Sequence, residues 1–342
     1  MHSDWQAFVA SLGGQTGAHD LVNFPDASPL PDCALADLSH LGLIRLGGED
    51  ARQFLQGQVT NDVRQVNGEH SQLSALCSPK GRMLANFRIF ERDDELYLQL
   101  PRERLSAVLQ RLRMFVLRSK VVLDDASDQL VRVGIAGSCA ESLLPAVPEP
   151  GAGSVCQAPP LTIIRLPGDR PRFELIGPAD ALQAFWQRSA ELAQPAGPDF
   201  WALMDIRAGL PNVLDSTVEA FVPQMANMQL VDGVSFTKGC YTGQEVVARM
   251  QYLGKLKRRM YLAQVDADTS PQPGDALYSP DSESGQGAGR VVDARPSPEG
   301  GFELLAVVEI ASAENAQLHL GDAGGPLLQL RPLPYTLPPV ES

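Results

Sequence analysis

Along most of the chain, short stretches of alternating hydrophobic and polar residues give way to helical spacing, and the sequence does this twice. Asp37 to Leu46 alternates weakly and predicts a strand. Gly47-Gly48-Glu49-Asp50 then leads into a helix from Ala51 to about Gln58, which Thr60-Asn61-Asp62 breaks. Ser71 to Ser78 and Arg82 to Glu91 predict a strand pair turned by Pro79-Lys80-Gly81, and Leu96 to Leu100 a third strand. Pro101 stands at a tolerated first helical position. Leu105, Val108, Leu109, Leu112, Phe115 and Val116 follow at helical spacing. The second round has β-like runs at Val121 to Leu123 and Val131 to Ala136, a loop from Pro145 to Pro160, strands at Leu161 to Leu166 and Arg172 to Ile176, and an amphipathic helix from Pro178 to Leu192. Strands followed by a helix, twice, predict an α+β protein with two similar units rather than a doubly wound parallel sheet.

Beyond Lys255 only short β-rich segments occur: Arg259 to Val265, Ala276 to Tyr278, Gly287 to Asp293, Phe302 to Glu309, Gln317 to Leu320 and Pro326 to Arg331. Even spacing of short strands predicts a small antiparallel β-barrel. The expected organisation is a loosely attached N-terminal extension (1–31), a first α+β unit (32–130), a second (131–254) and the barrel (255–342), the two α+β units being free to exchange segments.

The stretch from Phe236 to Gly254 concentrates the chemistry. Thr242 followed by Glu245 has the capping-box pattern, and Val246, Val247, Met250 and Leu253 continue it as one apolar face, so a helix is expected to start near Thr242. Gly254 stands where a left-handed C-terminal cap belongs. Cys240 precedes this helix, where backbone N–H groups and the positive dipole end favour a thiolate, and Lys238 adds a cation. Gly239 and Gly243 flank the thiol and leave room for a close approach. A buried cysteine in a tight connection accounts for the pattern equally well, and the residues alone leave both readings open.

Composition narrows the classes. The chain has 342 residues, 44% hydrophobic and 20% charged, with no apolar run long enough to span a membrane and no basic, apolar leader, so a cytoplasmic protein is expected. Cys33, Cys77, Cys139, Cys156 and Cys240 are scattered without any Cys-x-x-Cys pair and predict neither a disulfide framework nor a metal site. A net charge of −13 argues against direct nucleic-acid binding. Two basic stretches, Pro101 to Lys120 and Lys255 to Arg259, read as a solvated helix face and helix end. The dinucleotide fingerprint, the Walker A loop, the zinc-helix motif and the nucleophile elbow are all missing. On the residues alone Trp201 reads as a core aromatic.

Lys238-Gly239-Cys240-Tyr241-Thr242-Gly243-Gln244-Glu245 resembles the signature of the YgfZ family, folate-binding relatives of the glycine-cleavage T-protein. Phe54 to Val63, Lys80-Gly81, Ala208-Gly209-Leu210-Pro211 and Pro332-Leu333-Pro334-Tyr335 extend the resemblance from about Leu38 onward. It implies two α+β units in a ring around a central cavity, a barrel above them, tetrahydrofolate in the cavity and Cys240 as the functional thiol. Gln244 and Glu245 would fix the loop. It also implies a role in maintaining or assembling iron–sulfur enzymes, including those that thiolate tRNA, with such enzymes or assembly proteins as partners. Trp201 then becomes a folate platform, and Leu41 stands where family members can carry a second tryptophan. T-proteins carry an Asp pair where this chain has Ala85-Asn86, and a pterin-holding Glu where it has Arg207. Aminomethyl transfer is therefore not expected, because an amide cannot exchange the proton and a guanidinium cannot accept the ring's N–H groups. A folate-dependent one-carbon transferase and a direct tRNA-binding protein are the alternatives.

Overall fold

The structure, a computed structural model, describes residues 1–282, 287–315 and 317–339. Residues 283–286, 316 and 340–342 of the expected C-terminal domain lie outside the described residues. The chain opens with α1 (Ser3–Ser11), β1 (Gln15–Thr16), β2 (Val22–Asn23), β3 (Cys33–Asp37), β4 (Leu41–Gly47) and α2 (Ala51–Gln56). Next come β5 (Gln72–Cys77), β6 (Met83–Arg92), β7 (Glu95–Pro101), α3 (Arg102–Phe115), β8 (Val122–Asp125), β9 (Val131–Gly137) and α4 (Ala140–Leu143). The middle holds β10 (Val155–Ala158), β11 (Leu161–Leu166), β12 (Arg172–Gly177), α5 (Ala179–Ser189), β13 (Gln194–Ala196), α6 (Pro198–Arg207) and α7 (Gln244–Tyr252). The end holds β14 (Arg258–Val265), β15 (Ala276–Tyr278), β16 (Gly289–Pro296), β17 (Phe302–Glu309), α8 (Ile310–Glu314), β18 (His319–Leu320) and β19 (Leu328–Arg331). Two compact units form, one from Met1–Gly57, Asp62–Leu73 and Phe87–Trp201, the other from Gln58–Asn61, Ser74–Asn86 and Ala202–Ser342.

The first unit is built on a six-stranded sheet, β10-β11-β12-β9-β3-β13, and most of a five-stranded one, β5-β6-β7-β4-β8. β3 leaves the early part of the chain to pair antiparallel with β9, and β13 adds the sheet's parallel edge. Leu35, Val133, Ile135, Ile163, Phe173 and Leu175 project from one face of the larger sheet into a core closed by α1 and α5. Leu105, Val108, Leu109 and Leu112 turn the apolar stripe of α3 inward. The charges expected to be solvated on α3 are partly used within the fold: Arg102 meets Asp20, Asp125 and Asp128, and Arg113 donates to the Leu123 carbonyl.

Two expectations fail here. The N-terminal extension is not loosely attached, because Trp5 and Val9 are fully buried in the core and Trp5 Nε1 donates to Asp37 Oδ2 at 2.5 Å. Burial pushes that Asp37 carboxyl up, against the pull of its bonds from Trp5 and Ser39. The scattered cysteines also hid a pair: Cys33 on β3 is disulfide-bonded to Cys139 just after β9, with Cα atoms 5.7 Å apart. A sequence separation of 106 carries no local spacing signal.

The second unit contains an antiparallel six-stranded sheet, β18-β15-β16-β17-β14-β19, around Val265, Leu277, Val291, Leu304, Ala306 and Val308. An isolated bridge joins His319 to Leu327 at the sheet's outer strands. α6, which begins in the first unit and ends in the second, has no apolar stripe to read: Phe200, Trp201, Leu203, Met204 and Ile206 are all buried, so burial surrounds the helix and the period vanishes.

Candidate functional site

Within the second unit, the segment 58–61 works as a latch. Thr60 exchanges backbone bonds with Ala75 and Ser235, and its hydroxyl donates to the Gly233 carbonyl at 2.8 Å. Asn61 Nδ2 donates to the Asp232 carbonyl at 2.7 Å. Lys238 completes the latch from the other side. It is buried, and its ammonium donates to the carbonyls of Val59 at 2.6 Å and Asn61 at 2.8 Å, 5.1 Å from the Tyr241 ring centre. Charged donors on neutral carbonyls give strong bonds, and the tyrosine face stabilises the same charge. Lys238 thus holds the start of the Cys240 segment to the protein.

A second hold comes from glycine. Gly243 has φ +84, and a Cβ there would meet the Ser78 carbonyl oxygen at 2.5 Å and Gly81 Cα at 3.0 Å. Gly81, at φ +70, would meet Val246 at 2.8 Å. The turn 78–81 and the entry to α7 therefore touch through backbone, a contact open only to glycine on both sides. That contact overturns the expected capping box. Gly243, not Thr242, is the N-cap, it makes no side-chain cap bond, and α7 begins at Gln244. Nor is Gly254 a left-handed cap, since α7 closes on Leu253 at φ −133 and Gly254 packs on Met250 instead.

Between the two holds, Gly239 and Cys240 are exposed, and a Cβ on Gly239 would meet nothing within 4 Å. The buried-cysteine reading of Cys240 is thereby set aside. The buried thiol nearby is Cys77, which burial pushes up to about 12. Tyr241 is buried, and its hydroxyl is pushed up first by burial and then by Cys77. Gln244 is half-buried and donates its backbone N–H to the Tyr241 carbonyl, while Glu245 is exposed on the first turn of α7.

The remaining predicted positions fall as follows. Arg207 forms a two-point pair with Glu303, at 2.9 Å from Nε to Oε2 and 2.6 Å from Nη2 to Oε1. Burial raises the Glu303 carboxyl, but its bonds to Arg207 and Ser297 outweigh that and hold it below the usual range. Asn86 is buried, donating to the Pro211 carbonyl and accepting from the Val213 N–H, both at 2.7 Å. In the first unit, Leu41 opens β4 half-buried, and its carbonyl accepts from Arg132. Trp201 is only 2% exposed, its ring fills the space over Gly134, and the Arg172 guanidinium carbon lies 5.2 Å from its centre. Trp201 is therefore core-packed, as the residues alone indicated, yet its neighbours include charge: Gly134 pairs across the sheet with the buried Glu174.

This arrangement can be set beside known proteins. A "tRNA-modifying protein YgfZ" from Yersinia pestis is 33% identical over 320 residues, covering 92% of this chain and 96% of its own length. The chain belongs to the YgfZ family. A YgfZ from Colwellia psychrerythraea is 31% identical over 318 residues, again 92% of this chain and 96% of the relative, and one from Sodalis glossinidius is 32% identical over 324 residues. The family model of the GCVT N-terminal domain matches residues 31–153. The glycine cleavage system aminomethyltransferase T from Bartonella henselae superposes with a TM-score of 0.71 over 96% of each chain at 15% identity, which establishes a GcvT-like fold.

Seen in a YgfZ protein, the stretch Phe54 to Val63 has a physical reason: Thr60 and Asn61 are the latch for the thiol segment. From the residues alone, Thr60-Asn61-Asp62 read only as a helix break. Its signal was the run Thr-Asn-Asp, three side chains able to bond backbone. Glu303 and Glu174 were also missed, because each occupies a polar position in a strand where alternation points to solvent. Among the described residues no helix is long and apolar enough to cross a membrane, and no group of three or more His, Cys, Asp or Glu residues could hold a metal ion.

Proposed function

We propose that this chain is a folate-binding accessory protein that supports iron–sulfur cluster assembly or repair, and through it the thiolation of tRNA, with Cys240 as its working thiol. The observation that carries the reading is the exposed Cys240 on a segment clamped by Lys238 and by the Gly81–Gly243 contact. A thiol meant only for packing would not be presented in the open by so much buried polar structure. The curated relatives' name, tRNA-modifying protein, supports the outcome, and the GcvT-like fold supports the cofactor. The same reading carries the expected ring of two α+β units with a C-terminal barrel, and a cytoplasmic site of action.

The residues around Trp201 have the chemistry for a flat polar ring, since the tryptophan on α6 lies over Gly134 of β9 and the buried Arg172 and Glu174 of β12 stand beside it. Tetrahydrofolate, when bound, supplies a one-carbon carrier and an easily oxidised ring. In this chain Lys238 positions the thiol segment, Tyr241 closes its underside, and Gln244 and Glu245 start the helix that carries it. Leu41 offers an aliphatic wall at the edge of β4. Arg207 has its guanidinium occupied by Glu303, so its part is to hold α6 to β17.

Aminomethyl transfer finds no support. Asn86 stands where the acid–base carboxylate would be needed, and both ends of its amide are bonded to the 211–213 backbone. Direct tRNA binding through the basic stretches is weakened by their internal use, with Arg258 on Glu309 and Arg102 on three aspartates. The test is the content of thiolated nucleosides in tRNA from cells lacking the gene and supplied with the intact chain or with Cys240→Ala at equal protein level. Restoration by the intact chain alone is expected; equal restoration by both removes Cys240 from the function.

A further inference from the structure

The sheet face turned away from the main core of the first unit is polar and yet sealed. On β12 and β9, Phe173, Leu175, Val133 and Ile135 occupy the apolar core, so alternation sends Arg172, Glu174, Arg132 and Gly134 to the other side, where the three charged residues are at most 2% exposed. Gln99 of β7 meets this layer, its Nε2 donating to Glu174 Oε1 at 2.6 Å. Since a carboxylate oxygen can only accept, this bond fixes which end of the Gln99 amide faces Glu174. Its Oε1 is left buried with no partner among the described residues.

Gln99 pairs in register with Arg88 of β6. The bond from Ser78 N–H to the Arg82 carbonyl sets the β5–β6 hairpin, and moving six residues away from the turn, back along β5 and forward along β6, places Gln72 opposite Arg88. Gln72 is 3% exposed, and neither atom of its amide has a partner among the described residues. An amide taken out of water with both ends empty is costly, and native folds hold few such groups.

We propose that Gln72 and Gln99 are a recognition pair for the amide-and-amine edge of a pterin-type heterocycle. This rests on the folate reading above and adds the residues that would read the ring. Such an edge presents N–H donors beside a carbonyl or ring-nitrogen acceptor. Gln72 offers one donor group and one acceptor, and Gln99 Oε1, steered by Glu174, offers a second acceptor. Trp201 over Gly134 stands beside the Glu174 that does the steering.

The test is titration calorimetry of the full-length chain with tetrahydrofolate and, as a ringless control, with p-aminobenzoylglutamate, together with thermal denaturation of the ligand-free protein. Gln72→Leu replaces an unbonded amide with an apolar group of similar size. It is expected to leave the ligand-free denaturation midpoint unchanged or higher, to weaken tetrahydrofolate about ten- to a hundredfold, and to leave the ringless compound unaffected. Unchanged tetrahydrofolate affinity in Gln72→Leu, with the intact chain binding, overturns the proposal and leaves the folate reading standing. A lowered ligand-free midpoint also overturns it, because the amide then has a structural partner. Absence of tetrahydrofolate binding by the intact chain overturns both.

Discussion

Gly243→Ala attacks the backbone contact that sets the entry to α7, and Gly239→Ala, four residues earlier, is its internal control. At position 243 the alanine must hold φ near +84, a left-handed conformation that costs an L-residue about 1–2 kcal/mol. Its Cβ would also lie 2.5 Å from the Ser78 carbonyl oxygen and 3.0 Å from Gly81 Cα, so the 78–81 turn must shift, adding about 1–3 kcal/mol as overpacking does elsewhere. Together these give about 2–5 kcal/mol, or roughly 4–20 °C in the midpoint of a unit this size. At position 239 the added Cβ meets nothing within 4 Å, and the change should stay within about 0.5 kcal/mol. Circular dichroism melts of the two variants, followed beside the intact chain, read the difference directly. Equal midpoints for Gly239→Ala and Gly243→Ala would refute the claim that a glycine–glycine contact places the thiol segment.

Thiol titration of the native chain should show Cys240 reacting fast and Cys77 reacting only on unfolding, since the first is exposed and the second is buried and pushed up to about 12; rapid loss of both signals would contradict the burial assigned to Cys77. Lys238→Met should lower stability by about 2–4 kcal/mol in denaturant melts, because two charge-assisted bonds to the 59–61 backbone disappear, and a change below about 0.5 kcal/mol would show the latch to be idle. Glu303→Gln should cost about 1–2 kcal/mol at neutral pH through loss of the Arg207 pair. The folded Glu303 carboxyl lies below its ordinary 4.5, so the pair's contribution is full above that value and fades as pH falls through the lower folded value. The gap between Glu303→Gln and the intact chain should therefore shrink on acidification, and a gap that widens would reverse the sign. Trp5→Phe leaves Asp37 short of a bond and should cost about 1–3 kcal/mol in the same melts, whereas a neutral change would mean the N-terminal helix is dispensable.

Where one face of an element is buried and the other wet, the sequence was easy to read. The hairpin at Pro79-Lys80-Gly81, the stripe of α3 and the strands from Arg258 to Arg331 all lie within a few residues of their expected bounds. Legibility failed where both faces are buried. Arg132, Arg172 and Glu174 occupy polar positions that imply solvent, but a second layer covers them, and α6 loses its period for the same reason. Contacts between distant segments were equally silent: nothing near Cys33 points to Cys139, and nothing near Thr242 says that Ser78 lies close enough to forbid a side chain at Gly243. Of the candidate site, the signature around Cys240 was plain from its string of residues, while the carbonyls that hold Lys238 belong to a loop almost 180 residues away.

The most direct test of the account is the activity that an iron–sulfur tRNA-thiolating enzyme retains after aerobic incubation with the purified, tetrahydrofolate-loaded chain, intact or as Cys240→Ala. The intact chain should slow the loss of activity and the variant should not, while Cys77→Ser should behave as the intact chain. Equal protection by the intact chain and Cys240→Ala, or none by either, would contradict it.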